Sequence, residues 1–104
     1  NNRITYLKAE FELNPTDPFN AYGLAMEYLS SNPSEALTWL EWLLANIPDY
    51  LPTYYQAASL YQDFDDAQNA KMCYDKGIAL AKAQNNAKIL SELERAYYNF
   101  QLEN

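Results

Sequence analysis

Histidine is absent from this 104-residue chain. The usual general acid–base near neutral pH is therefore missing, and so is a common ligand for zinc. Cysteine occurs once, as Cys73. No internal disulfide can form, so a reducing, cytoplasmic setting is expected. Glycine occurs only as Gly23 and Gly77, which leaves no glycine-rich cradle for a phosphate cofactor. No apolar run approaches the roughly 20 residues needed to cross a bilayer, and Asn1-Asn2-Arg3-Ile4 does not read as a signal peptide. No Lys or Arg lies between Ala9 and Ala70. Nucleic acid calls for clustered cations to neutralise phosphates, so neither nucleic acid nor membrane is an expected partner.

Hydrophobic residues make up 49 % of the chain, enough for a packed core. Net charge is −7. The cation-free stretch holds Glu10, Glu12, Asp17, Glu27, Glu35, Glu41, Asp49, Asp63, Asp65 and Asp66. These carboxylates either keep the surface soluble or favour basic or apolar partners. The remaining reactive side chains do not assemble into chemistry. Cys73 precedes Tyr74 on an expected packed helix, with no histidine to activate it. Asp63, Asp65 and Asp66 lack the glycine of a calcium loop, since Gln68 stands in its place, and Tyr74 stands where a bidentate Glu belongs. Glu92 and Glu94 point to different helix faces. No catalytic residue, metal site or cofactor is assigned, and the chain is read as non-enzymatic.

The sequence repeats itself. Tyr22, Ala25 and Tyr28 recur as Tyr55, Ala58 and Tyr61, each 33 positions later. Beyond the next turn the offset is 34, with Ala36 answering to Ala70 and Leu40 to Tyr74. A period of about 34 residues marks a helix–turn–helix solenoid, whose units bury their apolar faces by stacking. Helix starts are legible too. Asp17-Pro18 and Asn32-Pro33 each set an N-cap before a proline at the first helical position. Asn32 with Glu35 has capping-box spacing, and Asp65 with Gln68 repeats it. Six helices are expected: Ile4 to Leu13, Pro18 to Ser30, Pro33 to Asn46, Pro52 to Gln62, Asp66 to Lys82, and Asn86 to Leu102. On the third, Ala36, Leu40, Leu43 and Ile47 form one apolar face. On the sixth, Ile89, Leu93, Ala96, Tyr97 and Phe100 do so, while Lys88, Glu92, Arg95 and Asn99 lie away from it, as suits a capping helix.

These residues resemble the tetratricopeptide repeat (TPR) family. Leu24-Ala25 and Tyr28 match its first-helix signature, and Ala36, Leu40, Leu43 and Pro48 its second-helix positions. Tyr54, Ala57-Ala58, Tyr61, Ala70, Tyr74 and Gly77 match it again. The likeness is to small bacterial TPR proteins. It departs in two places: the first repeat is one residue short in its turn, and Lys82 stands where the family favours proline. The resemblance implies an all-α fold, a right-handed α-α superhelix (solenoid) of two helical hairpins with flanking N- and C-terminal helices. One domain, 1–104, is then expected, with a flanking helix at 4–13, repeats at 18–48 and 51–82, and a capping helix at 86–102.

TPR domains bind extended peptides or helices in a concave groove lined by each repeat's first helix. Carried onto this chain, that face is Phe19, Tyr22, Met26 and Leu29, then Tyr55, Gln56, Ser59 and Gln62. These first-helix positions offer no cation for a terminal carboxylate, so the chaperone-tail role is not expected. The resemblance thus implies a protein-interaction adaptor or scaffold, with an acidic, aromatic groove for an apolar or basic rather than acidic peptide or helix. The alternative is a structural module, either a homodimer or a segment of a longer solenoid. Trp42 lies far around the third helix from the core direction. It is an incidental exposure, a contact for the first helix, or part of a convex-side interface.

Overall fold

Short polar side chains start most of the helices in the computed structural model, which describes residues 1–104. Asn1 opens α1 (Asn2–Leu13), its Oδ1 accepting from the N–H groups of Arg3 at 2.8 Å and Ile4 at 3.1 Å. Asp17 opens α2 (Pro18–Tyr28) by accepting from the Phe19 N–H at 3.0 Å. Asn32 opens α3 (Pro33–Asn46) by accepting from the Glu35 N–H at 3.3 Å. Pro52 begins α4 (Pro52–Asp63). Asp66 and Asn86 open α5 (Ala67–Ala83) and α6 (Ala87–Glu103), accepting from Asn69 and Ile89 N–H groups, each at 3.1 Å. Each cap satisfies a donor that the first helical turn would otherwise leave unpaired. There is no strand, and every helix end falls within two residues of its expected place.

Two expectations about caps are corrected. Asn32 and Glu35 form only half of a capping box: the Asn32 N–H donates to the Tyr28 carbonyl at 2.8 Å rather than to Glu35. The cap of α5 is Asp66, not Asp65. Asp65 has φ 58, a left-handed residue beyond the end of α4. Its N–H donates to the Gln62 carbonyl at 3.0 Å and that of Asp66 to Tyr61 at 2.8 Å, a Schellman closure.

Two compact units divide the chain, Asn1–Thr53 and Tyr54–Asn104. In the first, α2 packs against both α1 and α3. Leu7, Ala21, Leu24, Ala25, Ala36, Leu40 and Leu43 are fully buried there. Gly23 lets α1 come close, since a Cβ at that position would lie 3.2 Å from a methyl of Leu7. Arg3 pairs with Glu27 at 3.5 Å, and the Lys8 ammonium sits 5.8 Å above the Tyr28 ring. Phe11 meets Trp39 and Trp42 edge-on, with centroids 5.0 and 4.9 Å away.

In the second unit α5 packs against α6. Ala57, Ala58, Ala70, Cys73, Tyr74, Ala81, Leu93 and Phe100 are buried. Gly77 is the tightest point: a Cβ there would stand 2.7 Å from the Tyr54 Cβ and 3.2 Å from Leu93. Tyr74, Tyr97 and Phe100 form an aromatic cluster, with Tyr74 stacked on Tyr97 at 5.3 Å and tilted against Phe100 at 5.4 Å. No helix is long and apolar enough to cross a membrane.

Candidate functional site

Two members of the aromatic cluster, Tyr74 and Phe100, also line a cleft. This cavity of about 320 Å³ is lined by Tyr55, Ser59 and Gln62 of α4, Tyr74 of α5, and Glu92, Arg95, Ala96, Asn99, Phe100 and Glu103 of α6. A second cavity of about 300 Å³ shares Gln62, Phe100 and Glu103 with the first and adds Asp63, Asp65, Ala67 and Asn104. The two cavities adjoin at these shared residues.

Tyr74 makes the floor. Its hydroxyl donates to Gln62 Oε1. Burial, and then the nearby Tyr55, Cys73 and Glu103, push its phenol up to about 12. It is thus a neutral hydrogen-bond donor, not a base, near neutral pH. Glu92, Arg95 and Glu103 take part in no ion pair; the pairs present are Arg3 with Glu27 and Lys71 with Asp75. The Lys71–Asp75 contact, 2.7 Å, lies on the surface of α5. Its hydrogen bond raises the Lys71 ammonium and lowers the Asp75 carboxyl from their ordinary values.

Of the expected groove residues in the second unit, Tyr55, Ser59 and Gln62 line the cleft together. Tyr55 is 41 % exposed. Gln56 is half-buried and does not line it. In the first unit Phe19 is exposed, while Tyr22, Met26 and Leu29 are half-buried. Tyr22 lies edge-on to Tyr50, centroids 5.5 Å apart. Burial, and then Asp17, raise the Tyr50 phenol. Trp42 is half-buried against Phe11, and its free side borders a hollow with Pro15, Thr16, Asn46 and Ile47.

The contribution of α6 was not foreseen. Glu92, Arg95, Asn99 and Glu103 recur at spacings of three or four residues and so share one helix face. Glu92, Arg95 and Asn99 are exposed, as expected of the polar face of α6, and they also edge the cleft. The cleft therefore has a cation, Arg95, although α4 supplies none.

The comparisons with known proteins bear on this geometry. No family model matches the sequence, and no curated protein matches it. Among solved structures, the chain is similar to a tetratricopeptide repeat domain protein from Salinibacter ruber studied in solution by NMR. The two are 40 % identical with a TM-score of 0.77, over 84 % of this chain and 89 % of that one. A crystal structure of a tetratricopeptide repeat domain protein from the same organism is 38 % identical, with a TM-score of 0.77, over 82 % of this chain and 96 % of that one. The chain belongs to the tetratricopeptide repeat family. The expected fold class, an all-α helical-repeat superhelix, is that of this family, and a TPR domain is a protein-interaction module. The departures in the first turn and at Lys82 do not disturb the likeness. Lys82 is the exposed last-turn residue of α5, where its cation faces the negative end of the helix dipole.

Proposed function

We propose that this TPR chain acts as one interaction domain over 1–104 and binds an extended peptide or helix along the face that α4 and α6 present. The observation that carries this reading is the cleft of Tyr55, Ser59, Gln62 and the α6 stripe. It combines exposed aromatic area, which supplies typical binding anchors, with amide and hydroxyl groups able to hold a peptide backbone. The excess of carboxylates favours basic or apolar over acidic partners, and the scattered cations do not suit nucleic acid. A lone buried thiol fits a reducing compartment. The role is that of an adaptor or scaffold rather than an enzyme.

Titration of labelled basic, apolar and acidic-tailed peptides, followed by amide NMR, tests the reading. Basic and apolar peptides should perturb Tyr55, Ser59 and Gln62, and Tyr55→Ala should weaken them. Tight binding of an acidic tail through its terminal carboxylate would overturn the partner class.

A second reading, self-association, is favoured by one feature of the first unit. Tyr6 and Leu13 are exposed on α1, and an open hollow flanks Trp42. A concentration-dependent mass in sedimentation, abolished by Leu13→Glu or Trp42→Lys, would support it.

A further inference from the structure

Two helices expose faces that their counterparts in the repeat keep covered. Leu24-Ala25, Ala57-Ala58 and Leu90-Ser91 stand 33 residues apart, so α6 carries a third copy of the first-helix signature. Ala25 and Ala58 are fully buried, whereas Ser91 is exposed. Helix α1 instead repeats the second helix, because Leu7 and Pro15 precede Leu40 and Pro48 by 33 residues. The two also end alike. Asn14 (φ −146, ψ 68) donates its N–H to the Glu10 carbonyl at 2.9 Å, and Ile47 (φ −134, ψ 65) to that of Leu43 at 2.8 Å. Thus α6 is a first-type helix with no second-type helix over Ser91. Conversely, α1 is a second-type helix whose Tyr6 and Leu13 are 59 % and 81 % exposed.

The first unit shows how second-type helices meet: Phe11 of α1 lies edge-on to Trp39 and Trp42 of α3. By the repeat spacing, Ile78 of α5 takes the place of Phe11, and Tyr6 and Ala9 of α1 take those of Trp39 and Trp42. Ile78 shares a face of α5 with Lys71 and Lys82. Leu90, Glu94 and Tyr97 share the flank of α6 away from Glu92, Arg95 and Asn99. A furrow lies between these two faces. One end is a hollow of about 290 Å³ that includes Lys82, Ala87 and Leu90, and the other a hollow of about 400 Å³ that includes Lys71, Tyr97 and Gln101.

We propose that a second copy of the chain lays its α1 along this furrow, Tyr6 and Ala9 against Ile78 and Leu13 over the Lys82 stem. The inference rests on the self-association reading above and names its two faces. Charge supports the choice of occupant. Short linkers set α1 and α3 both antiparallel to α2, so the docked α1 runs parallel to α5. Its last turns, with Glu10 and Glu12, then reach the turn between α5 and α6. There the stretch from Lys76 to Ser91 holds Lys76, Lys82 and Lys88 and no carboxylate, so opposite charges meet. The two faces differ, and the contact is therefore heterologous.

The test uses the full chain in sedimentation velocity with rising concentration. The wild-type mass should climb above that of the monomer. Leu13→Glu blocks the α1 face. Lys82→Glu combined with Ala87→Glu blocks the furrow by opposing the carboxylates of the incoming α1. Ala87 is exposed at the start of α6, where a carboxylate suits the helix dipole, and circular dichroism checks that both variants fold. Each variant alone should stay monomeric. Mixed in equal amounts they should form a pair of twice the mass, since each brings the face that the other has lost. Labelled Leu13→Glu should then show amide shifts at Ile78 and Leu90. Association that survives in either variant alone would overturn the docking while self-association stood, and so would a mixture that stays monomeric. A wild-type chain that is monomeric at every concentration would overturn both.

Discussion

Tyr28 closes α2, and Tyr61 holds the equivalent place on α4, yet the chain leaves them differently. After Tyr28 the next helix cap, Asn32, donates its N–H back to the Tyr28 carbonyl four residues earlier, at 2.8 Å. After Tyr61 the cap is Asp66, and its N–H reaches the Tyr61 carbonyl five residues earlier, also at 2.8 Å. The additional residue is Asp65, at φ 58. The α5–α6 turn repeats the longer form: Asn86 donates to Ala81 at 2.9 Å, and Asn85 sits at φ 56. No residue of the first unit has positive φ. The one-residue difference between the repeats is therefore a change of turn type, not a loss of register. Asp and Asn tolerate the left-handed region better than most side chains, which explains why acidic and amide residues sit in these turns.

The glycines differ in the same sense. Gly77 faces the Cβ of Tyr54, an atom fixed to its backbone, whereas Gly23 faces the flexible end of Leu7. Exchanging each for alanine should give the largest contrast. Gly77→Ala places a carbon at 2.7 Å from Tyr54 Cβ, and overpacking of this kind costs about 1–3 kcal/mol. Gly23→Ala places one at 3.2 Å from a Leu7 methyl that can rotate away. A gain in helix propensity of about 1 kcal/mol then offsets the crowding. Thermal melts should show a clear loss for the first variant and little change for the second. Equal losses would erase the distinction between the two crossings.

Alkaline titration sharpens the comparison next. The Tyr74 phenol is raised from 10.0 to about 12, chiefly by burial. The unfolded chain releases that proton first. Stability is therefore whole below about pH 10 and falls as pH rises through about 12. Tyr50 of the first unit is also raised, by burial and then by Asp17. Alkaline unfolding curves should become shallower in Tyr74→Phe, and less so in Tyr50→Phe. An unchanged curve for Tyr74→Phe would mean its phenol is not withdrawn from water.

Trp42 gives a smaller effect, confined to the first unit. An aromatic pair contributes about 0.5–1.5 kcal/mol beyond its area, and Trp42→Lys removes the edge contact with Phe11. Its melting temperature should drop modestly while the six helices persist by circular dichroism. No drop would leave the Phe11 contact without energetic weight.

The smallest effect belongs to the turns. Asp65→Gly and Asn85→Gly relieve left-handed strain but free the unfolded chain, for a net gain of about 0.5 kcal/mol each. Ser31→Gly, in the short turn without positive φ, should only destabilise. A gain at all three positions in denaturant titrations would show that the turns do not differ in this way.

The helices were legible because their determinants are local. Asp17-Pro18 and Asn32-Pro33 state where a helix starts, and Ala36, Leu40 and Leu43 state which side is buried; all three are fully so. The 33-residue recurrence of Tyr22, Ala25 and Tyr28 stated the family. What stayed hidden depended on neighbours. Asp65 and Asp66 are equally good caps by type, and only the closure of α4 onto the Asp66 N–H chose between them. Trp42 looked outward from its helix, but α1 carries Phe11 up to it.

The sequence by itself determined the number of helices, their faces and the repeat, because turn chemistry and a period near 3.6 act within a few residues. Only the tertiary structure decided the site. Glu92, Arg95, Asn99 and Glu103 are a polar stripe whether they face open water or a cleft. It took the packing of α5 against α6 and the aromatic floor of Tyr74 and Phe100 to set that stripe beside Tyr55 and Gln62. A helix fixes which residues share its face; what that face meets is decided by packing with segments far along the chain.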